Sequence, residues 1–252
     1  DEIELNATAV DLNGTLDVSG TTTAVAITAS GLITANANIT LAGTTPTLTI
    51  GDAGAEDAKI VFDGNAQDYH IGLDDSADDL VIGKGSALGT TAHIVTDENG
   101  NVTKPLQPVF LVRPSSDQAD LATGDTTVAW GAEVFDVGSN FASNTFTAPV
   151  TGKYQFNVSL YLSNIDIDTT LFELYMEASN RKQRLMAMNP SKDYTADGSG
   201  FHSMNASTIL DMDASDTIHA FISVTGGGGV IHLNGSAPSS EFYTSWSGAL
   251  IC

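Results

Sequence analysis

The chain has 252 residues, of which 31 are Asp or Glu and only 9 are Lys or Arg, so its formal net charge at pH 7 is −22. This charge excludes nucleic-acid binding through phosphate contacts, which depends on clustered Lys and Arg. The single cysteine, Cys252, excludes an intrachain disulfide, so packing or assembly must stabilise the fold. We find no signal-peptide pattern and no apolar run long enough to span a membrane, and we expect no membrane insertion.

Residues 1–45 have the pattern of a thin, repetitive β-shaft. Three short strand-plus-glycine units follow one another at Leu16–Gly20, Ala26–Gly31 and Ile39–Gly43, so a glycine recurs every 11 or 12 residues. Such a period is typical of a stacked, solenoid-like or intertwined repeat rather than of a globular core.

The apolar content of this shaft is too low for one copy to fold. Each unit buries two or three medium-sized apolar side chains, which contribute about 1.5–3 kcal/mol each. Ordering about eleven backbone residues costs roughly 1–2 kcal/mol apiece, and hydrogen bonds return only about 1 kcal/mol net each. Neighbouring chains or stacked coils must therefore cover each unit, which predicts an obligate oligomer. A disordered leader rich in Thr, Ala and Gly is the alternative.

Residues 46–103 predict a small intermediate β module. Its strand candidates are Leu48–Ile50, Lys59–Phe62, Tyr69–Gly72, Leu80–Gly83 and His93–Val95. Asn99-Gly100, between Thr96 and Val102, is a strong signal for a two-residue hairpin.

Residues 104–108 are the predicted linker, because two prolines in KPLQP favour a stiff, extended path. Residues 109–252 then form a head rich in short strands. Outside its central pair, the strand candidates are Val109–Val112, Thr127–Ala129, Val134–Phe135, Leu171–Glu177, Leu185–Met188, Ser207–Met212, Ile218–Val224, Val230–Leu233 and Phe242–Ile251. This number and spacing of strands is typical of a jelly roll, so the whole chain is predicted to be all-β.

The central strands of the head lie between Phe146 and Leu162. From Lys153 onward, apolar and polar residues alternate, which places one face in the core and leaves the other wet or at a contact. Pro149 and Gly152 predict a tight corner before this strand.

Three segments of the head resemble the C1q/tumour-necrosis-factor-like family. Phe146 followed by Gly152–Phe156 (GKYQF) is similar to the core signature of the family. Leu210–Ile218 resembles its penultimate strand and turn, and Ser245–Ile251 resembles its closing strand. The resemblance covers roughly residues 108–252 and implies a C1q-like jelly-roll sandwich that forms a homotrimer.

The intermediate module resembles modules in tail-fibre and structural proteins of bacteriophages. The segments LTIGDAGAEDAKIVFDG, at 48–64, and DYHIGLDDSADDLVIG, at 68–83, carry this resemblance. It implies a tail or head fibre at the virion surface or outside the cell, joined to other virion proteins through its shaft. The head would bind a host surface glycan or receptor. An extracellular bacterial filament or adhesin subunit, whose head serves assembly, is the alternative.

Two features of the head are candidate contact sites. Four of the nine positive residues lie in or near RKQR at 181–184, which we place in an exposed connection between strands. They would contact an anionic polysaccharide or pair with acidic residues of a neighbouring subunit, and the second role is favoured. A glycine run is predicted to be an exposed hairpin tip. The candidate residues are Arg181, Lys182, Arg184, Lys192, Gly226, Gly227, Gly228 and Gly229.

The acidic cluster Asp74, Asp75, Asp78 and Asp79 is a weak candidate for a Ca²⁺ site, because hard cations prefer carboxylate oxygen. It lacks the spaced ligands of a calcium loop, so a solvated turn is favoured.

The sequence nominates no catalytic residue and no cofactor. The histidines have no Cys or His neighbour at metal-ligand spacing, and no nucleophile-turn motif is present. They are His70, His93, His202, His219 and His232, of which the third and fourth could meet in space. A glycan depolymerase would need a carboxylate pair in a groove, and none is indicated. We therefore expect a protein that is not an enzyme.

Overall fold

The computed structural model describes residues 15, 17–24, 26–198, 200–235 and 243–252, and the chain divides into two units between Thr49 and Ile50. The described residues contain seventeen strands and one short helix, which confirms the predicted all-β class. None of the helices in this part of the chain has the length and apolar character needed to cross a membrane. The elements are β1 Ala58–Phe62, β2 Tyr69–Asp74, β3 Asp79–Lys84, β4 Ala92–Thr96, β5 Val102–Thr103, β6 Val109–Arg113, β7 Gly124–Thr127, β8 Ala132–Val137, β9 Phe141–Ala142, β10 Thr145–Thr147, β11 Gly152–Ser163, β12 Thr169–Ala178, β13 Arg181–Met188, α1 Pro190–Asp193, β14 Phe201–Met212, β15 Thr217–Gly226, β16 His232–Leu233 and β17 Ser245–Leu250.

The first unit contains no helix or strand among its described residues, and every one of those residues is exposed. The strands predicted at 26–31, 39–43 and 48–50 are therefore absent from the single chain, while Leu16 lies outside the described residues. A lone chain supplies no second layer to cover side chains such as Ile27 and Leu32, which are 76% and 92% exposed. The shaft, as an assembly of several chains, stays a prediction.

Strands β1 to β5 form an antiparallel meander, called sheet 1, in sequential order. Four of the predicted strands of the intermediate module are confirmed. The predicted hairpin is confirmed between β4 and β5, but its loop has three residues, 98–100, and not two. The Asp97 N–H donates to the Asn101 carbonyl at 3.0 Å, and the Gly100 N–H donates to the Asp97 carbonyl at 2.9 Å. Gly100 has a φ of +83°, which suits a type I turn followed by a glycine bulge.

The predicted extended linker at 104–108 is a turn. The Gln107 N–H donates to the Lys104 carbonyl at 3.0 Å, which closes a β-turn with Pro105 at its second position, where proline is favoured. The Gln107 side-chain amide donates to the Leu250 carbonyl at 2.7 Å and so ties this turn to the head.

The head consists of two antiparallel six-stranded sheets, as predicted for a jelly-roll sandwich. Sheet 2 has the order β13-β12-β15-β10-β9, with β7 also paired to β15. Sheet 3 has the order β14-β11-β17-β6-β8, with β16 also paired to β11. The corner at Pro149–Gly152 carries the chain from sheet 2 to sheet 3, because β10 pairs in the first and β11 in the second.

The core lies between these two sheets and is built from the alternate residues of long strands. On β11, Tyr154, Phe156 and Leu160 are fully buried, as the period-two pattern predicts. The Phe110 ring stands at the centre of an aromatic cluster. Its centroid lies 5.0 Å from that of Phe146 and 5.1 Å from that of Trp246.

Gly248 of β17 is required by this cluster, and we expect Gly248→Ala to lower the free energy of unfolding by about 1–3 kcal/mol. An added Cβ would lie 2.5 Å from Phe110 Cε1 and 2.7 Å from Phe156 Cδ1, so both buried rings would have to move. Urea unfolding at a fixed protein concentration measures the change.

Gly228→Ala is the matched control, since its Cβ would meet only Asp166 Oδ2, at 3.7 Å. Its effect should stay within about 0.5 kcal/mol. Equal unfolding midpoints for the two variants would contradict the packing described for Gly248.

Candidate functional site

The basic segment lies in a strand and not in a connection, which corrects the sequence interpretation. Arg181 to Arg184 form the first half of β13, directly after a tight turn from β12 in which Ala178 pairs with Arg181. This strand is an edge of sheet 2, where outward charged side chains are tolerated and protect the edge from further pairing. Lys192 lies apart from it, in α1.

All three cations of β13 pair with acidic side chains of their own chain. The pairs are Arg181–Asp211 at 2.7 Å, Lys182–Asp125 at 3.7 Å and Arg184–Glu173 at 2.8 Å. The predicted roles in polysaccharide contact or inter-subunit pairing stay predictions. Any outside partner would have to compete with these intrachain acids.

Lys182 covers an aromatic pair on the outer face of sheet 2. The rings of Tyr175 and Phe221 are stacked, with centroids 5.0 Å apart and planes 4° from parallel. The Lys182 ammonium lies 4.7 Å from the first centroid and 4.3 Å from the second. An ammonium at this distance is attracted by the negative faces of both rings. This contact could not be predicted from the sequence, because the three residues come from three different strands.

Glu173 connects the aromatic pair to the basic segment. Its side chain is only 10% exposed and accepts hydrogen bonds from Arg184 Nη1, at 2.8 Å, and from the Tyr175 hydroxyl, at 3.0 Å. The hydrogen bond to Glu173 raises the pKa of Arg184. Burial, followed by the hydrogen bond to Glu173 and its negative charge, raises the pKa of the Tyr175 phenol.

The glycine run is a crossing between sheets, so the predicted hairpin tip is wrong. Gly226 ends β15 in sheet 2, whereas the next strand, β16, pairs with β11 in sheet 3. Gly226, Gly227 and Gly229 have φ values of +75°, +83° and +71°, which favour glycine. The Gly228 N–H donates to Asp166 Oδ2 at 2.5 Å, so this loop is held against the residues that precede β12.

The four acidic residues of the calcium candidate lie at the turn between β2 and β3, and their role as a calcium site stays a prediction. Asp74 and Asp79 pair at the ends of β2 and β3, with Asp75 and Asp78 in the turn between them. Asp74 Oδ1 accepts the Ser76 hydroxyl at 2.6 Å, which is the geometry of a side-chain-capped turn. In the described ranges, no three His, Cys, Asp or Glu side chains lie together in a way that could hold a metal ion.

Each histidine has its own separate contacts, and the possible meeting of His202 and His219 is not observed. They lie on β14 of sheet 3 and β15 of sheet 2 and contact different side chains. The contacts are His70 Nδ1 to the Gly85 carbonyl at 2.8 Å, the His93 ring to the Tyr69 ring at 6.4 Å, His202 Nδ1 to the Tyr194 hydroxyl at 2.6 Å, His219 Nε2 to Glu177 at 3.7 Å and His232 Nε2 to Asp120 at 3.3 Å.

The outer face of sheet 3 is a surface almost without charge. Lys153 and Asp211 lie at one end, Arg113 lies at a corner, and His232, which contacts Asp120, pairs with Ser163. The strand register places its residues side by side across β14, β11, β17, β6 and β8. They are Phe201, Ser203, Asn205, Ser207, Ile209, Gln155, Asn157, Ser159, Tyr161, Ser163, Ser245, Ser247, Ala249, Val109, Leu111, Phe135 and Val137.

Two shallow depressions mark this uncharged surface. One of about 350 Å³ lies among Asn157, Asn205 and Ser247, and another of about 350 Å³ lies beside Leu111 and Phe135. The sequence predicted that the polar face of β11 contacts either water or another surface. It could not show that the neighbouring strands add little charge to the same face.

No protein-family model and no curated protein matches the chain. Among solved structures, the globular domain of zebrafish complement 1qA protein is 17% identical with a TM-score of 0.38, and the similarity covers 58% of this chain and 98% of that chain. Murine APRIL, in its crystal structure at pH 8.5, is 15% identical with a TM-score of 0.39, covering 57% of this chain and 99% of that chain.

The hydrogen-bonded group around Glu173 predicts opposite pKa changes for two variants. Glu173→Gln should lower the pKa of Tyr175, because the amide has no negative charge and is a weaker hydrogen-bond acceptor. Arg184→Gln should raise this pKa further, because the positive charge that stabilises the phenolate is lost. Absorbance titration of the phenolate, with Tyr175→Phe to identify the signal, measures both. Changes of the same sign would contradict the described geometry.

The same raised pKa has a consequence for stability. The stabilisation linked to the Tyr175 proton is complete below the ordinary tyrosine pKa of 10.0 and is lost as pH rises through the higher pKa of the folded protein. The free energy of unfolding should therefore fall above about pH 10, and less steeply in Tyr175→Phe.

Proposed function

We propose that the chain is a non-enzymatic, homotrimeric fibre protein of a bacteriophage virion, whose head binds a glycan or receptor on the host cell surface. The uncharged outer face of sheet 3 is the observation that carries the assembly part of this proposal. The phage context, the position at the virion surface and the attachment of residues 1–45 to other virion proteins come from the sequence resemblances.

The composition of the outer face of sheet 3 suits a contact between identical subunits. Seventeen adjoining positions carry hydroxyl, amide, aliphatic or aromatic side chains in a chain of net charge −22. Charged residues are depleted in the cores of subunit interfaces, whereas they dominate ordinary surface. Tyr161 adds an aromatic group at one end, with ring centroids 5.1 Å from Phe201 and 5.2 Å from Tyr243. Three copies meeting here would bury this face without burying any carboxylate beyond Asp211.

The outer face of sheet 2 remains open in such a trimer, because it lies on the opposite side of the sandwich. It presents the side chains of Lys182 and Arg184, which are 42% and 59% exposed, with Lys182 over the aromatic pair. Exposed ammonium and guanidinium groups can form charge-assisted hydrogen bonds with an acidic glycan. Three equivalent weak sites on one particle would bind a repetitive surface glycan with high avidity.

The assembly part is tested by the mass of the full chain in solution. We expect about three times the 26.2 kDa of one chain. The Ser207→Glu trimer should dissociate at protein concentrations at least about tenfold higher than those at which the unmodified trimer dissociates. The reason is that three carboxylates would enter the buried interface. Sedimentation velocity over a dilution series measures this change.

Thr225→Glu is the matched control. It adds the same charge at an exposed hydroxyl residue of β15, on the outer face of sheet 2, and should leave the trimer unchanged. A folded monomer would overturn the proposal, and head-to-tail polymers would favour a cellular filament instead.

The recognition part is tested by adsorption to host cells and by a glycan-binding screen. We expect Lys182→Glu to remain trimeric and to lose at least about tenfold in apparent affinity, since each of three sites is weakened. Lys59→Glu, an exposed lysine of β1 outside the head, is the control and should bind normally. A trimeric Lys182→Glu variant that binds as well as the control would remove this role. Release of shortened polysaccharide would contradict the non-enzymatic assignment.

A further inference from the structure

Sheet 1 has one face that is almost entirely apolar and lies uncovered in the single chain. Directly paired residues of antiparallel strands share a face, so the register defines it. This surface, called the apolar face of sheet 1, consists of Ala58, Ile60, Phe62, Tyr69, Ile71, Leu73, Leu80, Ile82, Lys84, Ile94, Thr96 and Val102.

The exposure of this face is large for a surface in water. Seven of its nine large apolar side chains are between 39% and 63% exposed. They are contiguous across five strands. Contiguous exposed apolar patches larger than a few hundred Å² are rare on monomers and mark interaction sites.

The opposite face of sheet 1 is partly covered by its own loops. His70 and Val81 are 1% and 3% exposed, and the His70 ring lies against the Gly85 carbonyl. The Gly85 N–H donates to the Asp68 carbonyl at 2.8 Å, which joins the β3–β4 loop to the β1–β2 loop. Among the described residues, loops of the module therefore cover part of the opposite face, whereas the apolar face remains largely exposed.

Negative charge is kept away from the apolar face of sheet 1, whose one charged member is Lys84. Residues 46–103 contain eleven Asp or Glu and only two Lys, yet none of the acidic residues lies on this face. Asp74 and Asp79 belong to the opposite face, and the others lie in turns and loops or before β1. Two copies of so acidic a module can approach each other only through a surface from which the acids are excluded.

We propose that the apolar face of sheet 1 is a contact between copies of this chain, so that residues 58–103 assemble by their own surface. A transient partner would leave the face open in the free protein, whereas a second copy is present wherever the chain is made. An interface this apolar resembles a domain core divided between subunits, as in obligate homo-oligomers. This inference goes beyond the proposed head contact, because it concerns a different sheet and does not require sheet 3.

The test uses the full chain and the neighbouring residues Ile60 and Val61 of β1. They are 40% and 38% exposed in the single chain but point to opposite faces. In a Cys252→Ser background, Ile60→Cys and Val61→Cys are each labelled with a maleimide. The Ile60→Cys thiol should react at least about tenfold more slowly, because the neighbouring copy covers it. Dilution should abolish the difference, and salt should increase it by screening the acidic residues around the face.

Equal labelling rates in the oligomer would overturn the inference. Protection in a monomer, independent of concentration, would also overturn it, since residues of the same chain would then cover the face. Protection that salt weakens would point to a basic partner and would overturn it as well. If Ser207→Glu dissociates the trimer while Ile60→Cys reacts as fast as Val61→Cys in the undissociated protein, only the contact through sheet 1 is excluded. If Ile60→Cys is protected and Ser207→Glu changes nothing, only the head contact fails.

Discussion

The two faces of each β-sheet impose the constraint on which the rest of this structure depends. A strand such as β11 sends Phe156 into the core and its neighbours Gln155 and Asn157 outward, so every sheet has a second face that needs water or a partner. In sheets 1 and 3 that second face carries few charged side chains, although the chain as a whole carries −22. The acidic residues are placed in turns, loops and strand ends, where they keep the protein soluble.

The outer face of sheet 2, in contrast, carries several charged side chains. Glu173, Arg184 and Lys182 are concentrated there around two stacked rings, and the charges are neutralised within the chain. Partly buried charges are stable only when paired and hydrogen-bonded, and Glu173 satisfies this with two donors. The surface of the head therefore has two sides of different chemistry, one suited to identical subunits and one suited to polar ligands.

The sequence predicted those features of the fold that depend on local periodicity. The alternation in β11, the corner at Pro149 and four strands of sheet 1 all follow from residues close together in the chain. Features that depend on register between distant strands could not be predicted. The segment 181–184 looked like a loop because it is charged, but an edge strand tolerates outward charges as well as a loop does. Likewise, the glycine run suggested a hairpin, although its geometry reflects the crossing from sheet 2 to sheet 3 and a close approach to Asp166 in the β11–β12 connection.

The candidate surfaces, too, could be predicted only in part from the sequence. The polar positions of β11 were visible in the sequence, but the uncharged face of sheet 3 appears only when Ser207 and Ser247 are brought beside Asn157 by strand pairing. The contact of Lys182 with Phe221 likewise joins residues from separate strands. The alternation of polar and apolar residues in one strand identifies which side chains face outward. The pairing of that strand with its neighbours determines which surface those side chains form.

The chain enters and leaves the head at the same end. The Leu250 N–H donates to the Pro108 carbonyl at 3.0 Å, and the Lys153 N–H at the start of β11 donates to the Cys252 carbonyl at 2.7 Å. Asp166 and the glycine crossing lie beyond the far end of β11, whose twelve residues span roughly 36–40 Å. A reporter protein fused after Cys252 would thus emerge beside the point of entry and leave the distant pole of the sandwich unobstructed.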